Sequence, residues 1–225
     1  MLTYDRMRYP QLLLSIAGAV QSSLAANSVQ AINDQSTSFS PLVVTLSLGP
    51  AWASGGETQT FYLQSDIEKT YAADNESGAL ANGELFLGVQ HRFNTRLQGQ
   101  LGLAVAATSN AKLTGDIWED ADPDFNNFNY TYNINHKHVA AKGIVLVDMV
   151  LLGVMIQPYL SGSAGIGFNR AYGFTITPKI FEEVSAPEFS SNTETSFTYS
   201  LGIGIQKTIT DHWQAGIGYE FADWG

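Results

Sequence analysis

"YSLGIGIQKTITDHWQAGIGYEF", Tyr199 to Phe221, contains two runs in which large and small residues alternate around a short polar break. Alternation with a period of two is typical of β-strands, and Thr210 and Asp211 favour a turn between them. The stretch therefore predicts a β-hairpin with one bulky face and one small face. What the bulky face contacts decides the class of protein, because a water-soluble sheet turns it toward a core and a membrane barrel turns it toward lipid.

Five earlier segments repeat this alternation and predict about seven strands in all. They are "LVVTLSLGPAW" (42–52), "NGELFLGVQHRF" (82–93), "RLQGQLGLAVAAT" (96–108), a segment from about Tyr130 through "HKHVAAKGIVLVD" (136–148), and "QPYLSGSAGIGFN" (157–169). A further turn is expected near residues 151–154, inside an apolar run. The links alternate between short and long, which is typical of outer-membrane barrels with tight turns at one end and extended loops at the other. The predicted fold is all-β, an antiparallel up-and-down transmembrane β-barrel.

The composition favours a barrel whose outer surface is not in water. Charged residues make up 14% of the chain, against about 25% in typical soluble domains. A lining of Gly, Ala, Ser, Thr and Gln fits the narrow interior of a barrel of about eight strands. The residues that test this orientation are Leu101, Ile203 and Ile217, expected outside, and Gln100, Gly204 and Gly218, expected inside. The net charge of −10 argues against a nucleic-acid surface, and the absence of cysteine excludes disulfides and a Cys nucleophile.

The first residues have the pattern of a targeting segment. Arg6 and Arg8 precede a short apolar run at 12–20, and small residues follow it. This order predicts a secretory signal peptide over residues 1–25, cleaved after Ala25 or Ala26, with residues 26–225 as the barrel domain. The alternatives are a buried helix, or a true start at Met7.

Several segments carry a resemblance to a known family. "FSPLVVTLSLGPAW", "GDIWEDADPDFNNF", "HVAAKG", "GSAGIGFNRAYGFTITPKIFEEV" and "GIGYEFADWG" resemble the small porin-like outer-membrane β-barrels of Gram-negative bacteria, the OmpA/OmpW/Opa-like group. The resemblance implies eight antiparallel strands, a place in the cell outer membrane, no cofactor and no catalytic residues. It implies outer-membrane lipid, lipopolysaccharide and the outer-membrane assembly machinery as partners. Family members continue past "YEFADWG" with a last strand, so the eighth strand is expected to be missing here.

An acidic cluster is the first candidate site. Its members are Asp116, Glu119, Asp120, Asp122 and Asp124. The alternate aspartates imitate the start of a calcium loop, but Phe125 stands where such a loop needs glycine and Thr131 where it needs glutamate. A solvated acidic external loop is the favoured interpretation.

The remaining candidates are paired charges and histidines. His136 and His138 share one strand face, a spacing compatible with metal binding, but no third ligand is identifiable, so no metal is predicted. The inward charges are expected to form a plug of paired side chains rather than an ion pathway; they are Glu84, Arg92, Lys142, Asp148 and Glu220. His91 and His212 are expected near the short-turn rim without a Ser-containing motif, which argues against the rival hypothesis of a lipid-modifying enzyme.

The function expected from these observations is structural, or a narrow porin-like passage for small solutes. The alternative is a surface adhesin that binds host surface molecules through long acidic external loops. No catalytic, cofactor-binding or metal-binding residue is predicted.

Overall fold

A computed structural model describes residues 8–20, 41–52, 58–64, 67–74, 79–181 and 189–225. These residues form twelve antiparallel strands and one short 3-10 helix. The strands are β1 (Arg8–Val20), β2 (Leu42–Trp52), β3 (Gln59–Gln64), β4 (Ile67–Ala73), β5 (Ala79–Arg92), β6 (Leu97–Thr108), β7 (Ala111–Glu119), β8 (Asn126–Val147), β9 (Met149–Leu151), β10 (Val154–Pro178), β11 (Asn192–Thr210) and β12 (Trp213–Asp223), and the 3-10 helix is Pro123–Phe125. Among the described residues, no helix has the length and apolar character needed to cross a membrane.

The seven strands predicted from the sequence are all present, as β2, β5, β6, β8, β10, β11 and β12. Their ladder runs β2–β5–β6–β8–β10–β11–β12, with every neighbouring pair antiparallel. Short turns join β5 to β6, β9 to β10 and β11 to β12, and the turn predicted near 151–154 lies at Leu152 and Gly153. The prediction of an all-β, up-and-down curved sheet is therefore confirmed.

The backbone of β1 lies between the two edges of this ladder. Arg8–Val20 pairs with β12 on one side and with β2 on the other, both antiparallel. It thus stands where the missing eighth strand is expected. The predicted signal peptide falls partly on β1 and partly on residues outside those described, and its cleavage stays a prediction.

The two faces of the sheet have the orientation that the sequence predicts. Leu101, Ile203 and Ile217 are 66%, 58% and 55% exposed on the outer surface, whereas Gln100 is 6% exposed in the lumen. Gly218 is buried and Gly204 half-buried, because the Tyr159 ring lies across both of them. A Cβ on Gly204 would lie 2.5 Å from the Tyr159 hydroxyl and 2.6 Å from the backbone oxygen of Ile217, so glycine is required at this position.

The long connections are more ordered than predicted. Three strands, β3, β4 and β7, form there: β7 pairs with the first half of β8, β4 pairs with β7, and β3 pairs with β4. Residues 126–135 of β8 and 170–178 of β10 continue past the barrel and pair with each other. We call this sheet of β3, β4, β7, 126–135 and 170–178 the outer extension. The expectation of extended loops was wrong for these residues, because the strand alternation of β8 and β10 continues into them and supplies an apolar face.

Candidate functional site

A buried ion triad crosses the middle of the lumen. Lys142 of β8 points inward, and its Nζ lies 2.6 Å from Glu84 Oε1 of β5 and 2.8 Å from Glu220 Oε2 of β12. All three side chains are at most 6% exposed. Their positions on alternate, inward-facing residues bring three distant parts of the chain together. The triad confirms the pairing predicted for Glu84, Lys142 and Glu220. The prediction that Arg92 also faces inward is wrong, because its side chain is 60% exposed.

A small polar cavity adjoins the triad. It has a volume of about 30 Å³ and is lined by Ser47, Gln100, Tyr159 and Ser161, among others. A site of this size and polarity has room for about two water molecules. It is too small to hold an organic solute.

A hydrogen-bonded chain of glutamines fills the short-turn end of the lumen. Asp148 is its centre, accepting from Gln98 Nε2 at 2.8 Å and from Gln157 Nε2 at 2.6 Å. The chain continues on both sides through Gln90, Gln100, Gln206 and Gln214. Arg92 Nη2 lies 3.6 Å from Asp148 Oδ2 but is itself 60% exposed, so it contributes little to the closure.

Of these glutamines, only Gln100 is named from the sequence as a residue expected inside the barrel. They share one sequence feature: each alternates with the bulky residues of its strand and so stands on the small-residue face. Their partners could not be read from the sequence, because the hydrogen bonds join different strands across the lumen.

The outer mouth of the lumen is covered by an aromatic stack. Trp224 is 1% exposed and stacks on His136 with ring centroids 4.4 Å apart and planes 5° apart. Asn169 Nδ2 donates to Trp224 O at 2.9 Å, and Ser196 Oγ donates to the same carbonyl at 2.7 Å. These contacts hold the indole across the mouth.

The two histidines predicted as a weak metal candidate bind each other. His136 Nδ1 lies 2.6 Å from Asn169 Oδ1, and His136 Nε2 lies 3.0 Å from His138 Nδ1. Because an amide oxygen only accepts, Nδ1 of His136 carries the proton, and in the neutral ring Nε2 then accepts from His138. Across the described ranges, no group of three or more His, Asp or Glu side chains could hold a metal ion.

The outer extension has an aromatic core of its own. Tyr71, Ile117, Phe128 and Tyr130 are buried there. Tyr130 packs against Phe174 with ring centroids 5.8 Å apart. Burial raises the pKa of the Tyr130 hydroxyl, so it stays a neutral hydrogen-bonding group at any physiological pH. This core gives the outer extension a fixed shape above the barrel.

The predicted acidic cluster is split between strand and turn. Asp116 and Glu119 lie on β7, where Lys179 Nζ donates to Asp116 Oδ1 at 2.7 Å and Lys69 Nζ to Glu119 Oε1 at 3.1 Å. Asp122 instead caps the 3-10 helix by accepting from the backbone N–H of Asp124. The expected loop is therefore wrong for Asp116 and Glu119, because both lie on a strand; each is about a third exposed and contacts a lysine.

The two rim histidines are in separate surroundings. His91 packs edge-on against Phe93 with ring centroids 5.1 Å apart, and His212 lies exposed in the turn between β11 and β12.

The Asp116–Lys179 contact predicts a pH-dependent stability. Partial burial raises the pKa of Asp116, but hydrogen bonds from Lys179 and Asn126 outweigh it and hold the pKa below its ordinary value. The contribution is therefore present above the ordinary Asp pKa of about 3.9 and is lost as pH falls through the lowered value. Since both side chains are about a third exposed, we expect Lys179→Met to cost at most about 1 kcal/mol near pH 6.

Urea unfolding of the wild type and Lys179→Met, at pH 6 and at pH 2.5, measures this effect. The difference between the two proteins should be smaller at the lower pH, where Asp116 becomes protonated. Lys112→Met is the matched control, because Lys112 is exposed on the same strand as Asp116. A difference that persists unchanged at pH 2.5 would contradict the prediction.

No protein-family model matches the chain, and no curated protein matches it. Among solved structures, it is similar to the transport unit of the autotransporter AIDA-I from Escherichia coli, at 10% identity over 100% of this chain and 91% of that chain, with a TM-score of 0.16. A TM-score this low leaves the function to be inferred from this chain's own residues.

Proposed function

We propose that this protein is an integral outer-membrane β-barrel whose outer face is embedded in lipid. The observation that carries the proposal is the apolar surface on strand after strand of the curved sheet. The exposed members include Leu46, Leu48, Leu85, Leu87, Leu101, Leu103, Val139, Val145, Leu160, Ile166, Leu201, Ile203, Ile217 and Tyr219. We call these residues the apolar belt. A soluble monomer rarely exposes an apolar patch of more than a few hundred Å², whereas a membrane barrel requires such a band.

The dimensions of the apolar belt support this proposal. On β11 the outward apolar run extends from Phe197 to Ile205. At about 3.3 Å per residue this run is roughly 26 Å long, or roughly 20 Å in height for strands tilted by about 40°. That height is close to the apolar band of about 25 Å seen on outer-membrane barrels.

The filled lumen supports a structural role over a passage for solutes. The ion triad, the glutamine chain around Asp148 and the Trp224 stack lie at three levels of the interior. Each level closes the interior with side chains held by hydrogen bonds or ion pairs. We propose no catalytic role. We propose outer-membrane lipid, lipopolysaccharide and the outer-membrane assembly machinery as the partners. Planar-bilayer recordings are expected to show no stepwise current, and a steady conductance would favour the narrow passage.

The lipid contact of the apolar belt is tested by placing a charge in it. Leu103→Arg is expected to lower the free energy of unfolding in phospholipid vesicles by about 2–4 kcal/mol, because the guanidinium would lie in hydrocarbon. Thr177→Arg makes the same charge change at an exposed site of the outer extension and is expected to have little effect. Urea titration followed by tryptophan fluorescence measures both. Equal, small losses in the two variants would argue against membrane embedding.

A second function is favoured by the surface of the outer end. Phe181 is 92% exposed, Tyr62 73% and Phe125 51%, and they lie among acidic residues. Exposed aromatic side chains with a rigid support are typical of binding surfaces. An adhesin that binds host surface molecules would lose cell binding on Phe181→Ser with no change in barrel stability. Unchanged binding would count against it.

A further inference from the structure

The hairpin between β8 and the main part of β10 is apolar on both faces. It consists of residues 149–156, "MVLLGVMI", with β9 paired to the start of β10 and Leu152 and Gly153 at the tip. Leu152 is 97% exposed, Val150 65% and Met155 60%. We call residues 149–156 the apolar hairpin.

The other two short turns differ in chemistry. The β5–β6 connection runs from Phe93 to Arg96 with Asn94 and Thr95 at its tip, and the β11–β12 turn is Asp211 and His212. Both tips are polar, as expected for turns in water, although Phe93 beside the first is 60% exposed. The apolar hairpin thus stands apart from two turns at the same end of the barrel.

The tip residue is not the one that its backbone favours. Leu152 has φ of 51° and Gly153 has φ of 79°. A two-residue turn with both φ values positive prefers Asn-Gly, because leucine rarely adopts the left-handed region. An exposed leucine at this position lowers local stability without burying anything in the protein. A contact outside the chain would explain its presence.

The apolar hairpin is continuous with the apolar belt. Val145, Val147 and Met149 follow one another on the outward face of β8 and β9, and each is more than 40% exposed. Exposed Arg96 and Lys207 lie at the same end of the barrel. Cationic side chains next to an apolar surface are typical of segments that meet phospholipid headgroups.

The unpaired edges of the apolar hairpin limit how deep it can lie. Its two strands pair with each other, but in the part of the chain that the structure describes the ladder to β6 ends at Val147 and the ladder to β11 ends at Gln157. Unpaired backbone groups are costly in hydrocarbon and are satisfied by water at the interface. The acyl–headgroup boundary provides both an apolar contact and water.

We propose that the apolar hairpin inserts into the acyl–headgroup boundary of the phospholipid leaflet at the short-turn end, with Arg96 and Lys207 facing lipid phosphates. This inference rests on the proposed membrane embedding and extends it to a segment beyond the strands that form the barrel. The lipid-contacting surface then extends further toward the short-turn end at the apolar hairpin than on the other sides of the barrel.

The absence of native cysteine allows a direct test with single-cysteine variants. Leu152→Cys and Val150→Cys are labelled with an environment-sensitive fluorophore in the full chain, folded into vesicles of phosphatidylethanolamine and phosphatidylglycerol. Thr95→Cys, in the polar β5–β6 turn, is the matched control, and Ile203→Cys reports the apolar belt. Quenching by lipids brominated near the headgroup for the hairpin probes, and along the acyl chain for position 203, is compared with quenching by aqueous iodide.

We expect both hairpin probes to be quenched by brominated lipid, with iodide quenching several-fold weaker than at position 95. Iodide quenching equal to that at position 95 would overturn the inference, as would probes shielded from both quenchers, which would indicate a protein partner or a second copy. The probe at position 203 separates the two proposals. If it is quenched by lipid while the hairpin probes are not, the inference fails and the membrane embedding stands; if it is not quenched by lipid, the proposed function fails.

Discussion

Lys142→Met is expected to destabilise the barrel by about 3–5 kcal/mol, because it leaves two buried carboxylates without their counterion. Glu84 and Glu220 are each 4% exposed, and the Lys142 ammonium lies within 2.8 Å of both. Methionine has a similar volume, so the loss reports charge and hydrogen bonding rather than a cavity. Urea unfolding of the protein refolded into vesicles measures the difference.

The matched control for this variant is Glu220→Gln. It removes one carboxylate and leaves the pair of Lys142 and Glu84, whose contact is 2.6 Å. The amide can still accept a hydrogen bond from Lys142, so a much smaller loss is expected. Equal losses in the two variants would contradict the view that the Lys142 ammonium stabilises the buried carboxylates as their counterion.

Trp224→Ala is expected to cost about 3–5 kcal/mol, the range for deleting a large buried aromatic side chain. The indole is 1% exposed, stacks on His136 and clusters with Ala51, Leu80 and Ala222. Its removal would leave a cavity between these neighbouring residues. Thermal unfolding of the full chain in detergent measures the loss.

Trp224→Phe tests the origin of this loss. Phenylalanine can keep the stack on His136, so we expect it to retain most of the stability. If the alanine variant were as stable as the wild type, Trp224 would contribute nothing as a plug of the outer mouth.

The strand pattern and orientation could be predicted from the sequence to a large extent. Period-two alternation marks the seven strands from β2 onward, and the choice of bulky residues marks the outer face, as Leu101 and Gln100 illustrate. These features are local, because each strand carries its own alternation whatever its neighbours do.

The outer extension could not be predicted in this way. β3 and β4 are short, and the stretch that forms β7 was expected to be part of a long loop before the strand that begins near Tyr130. Their pairing depends on the continuation of β8 and β10 and on the packing of Tyr71 against Tyr130, residues distant in the chain. The pairing of the Arg8–Val20 backbone with β2 and β12 could not be predicted either, because these strands are distant from it in the chain.

Local alternation was enough to predict an antiparallel sheet of barrel type with an apolar exterior and a small, polar interior. The contacts of Lys142 with Glu84 and Glu220, the convergence of the glutamines on Asp148 and the position of Trp224 at the mouth are seen only in the folded chain. Alternation sets which face a side chain occupies, whereas strand register and barrel closure set which side chain lies opposite it across the lumen.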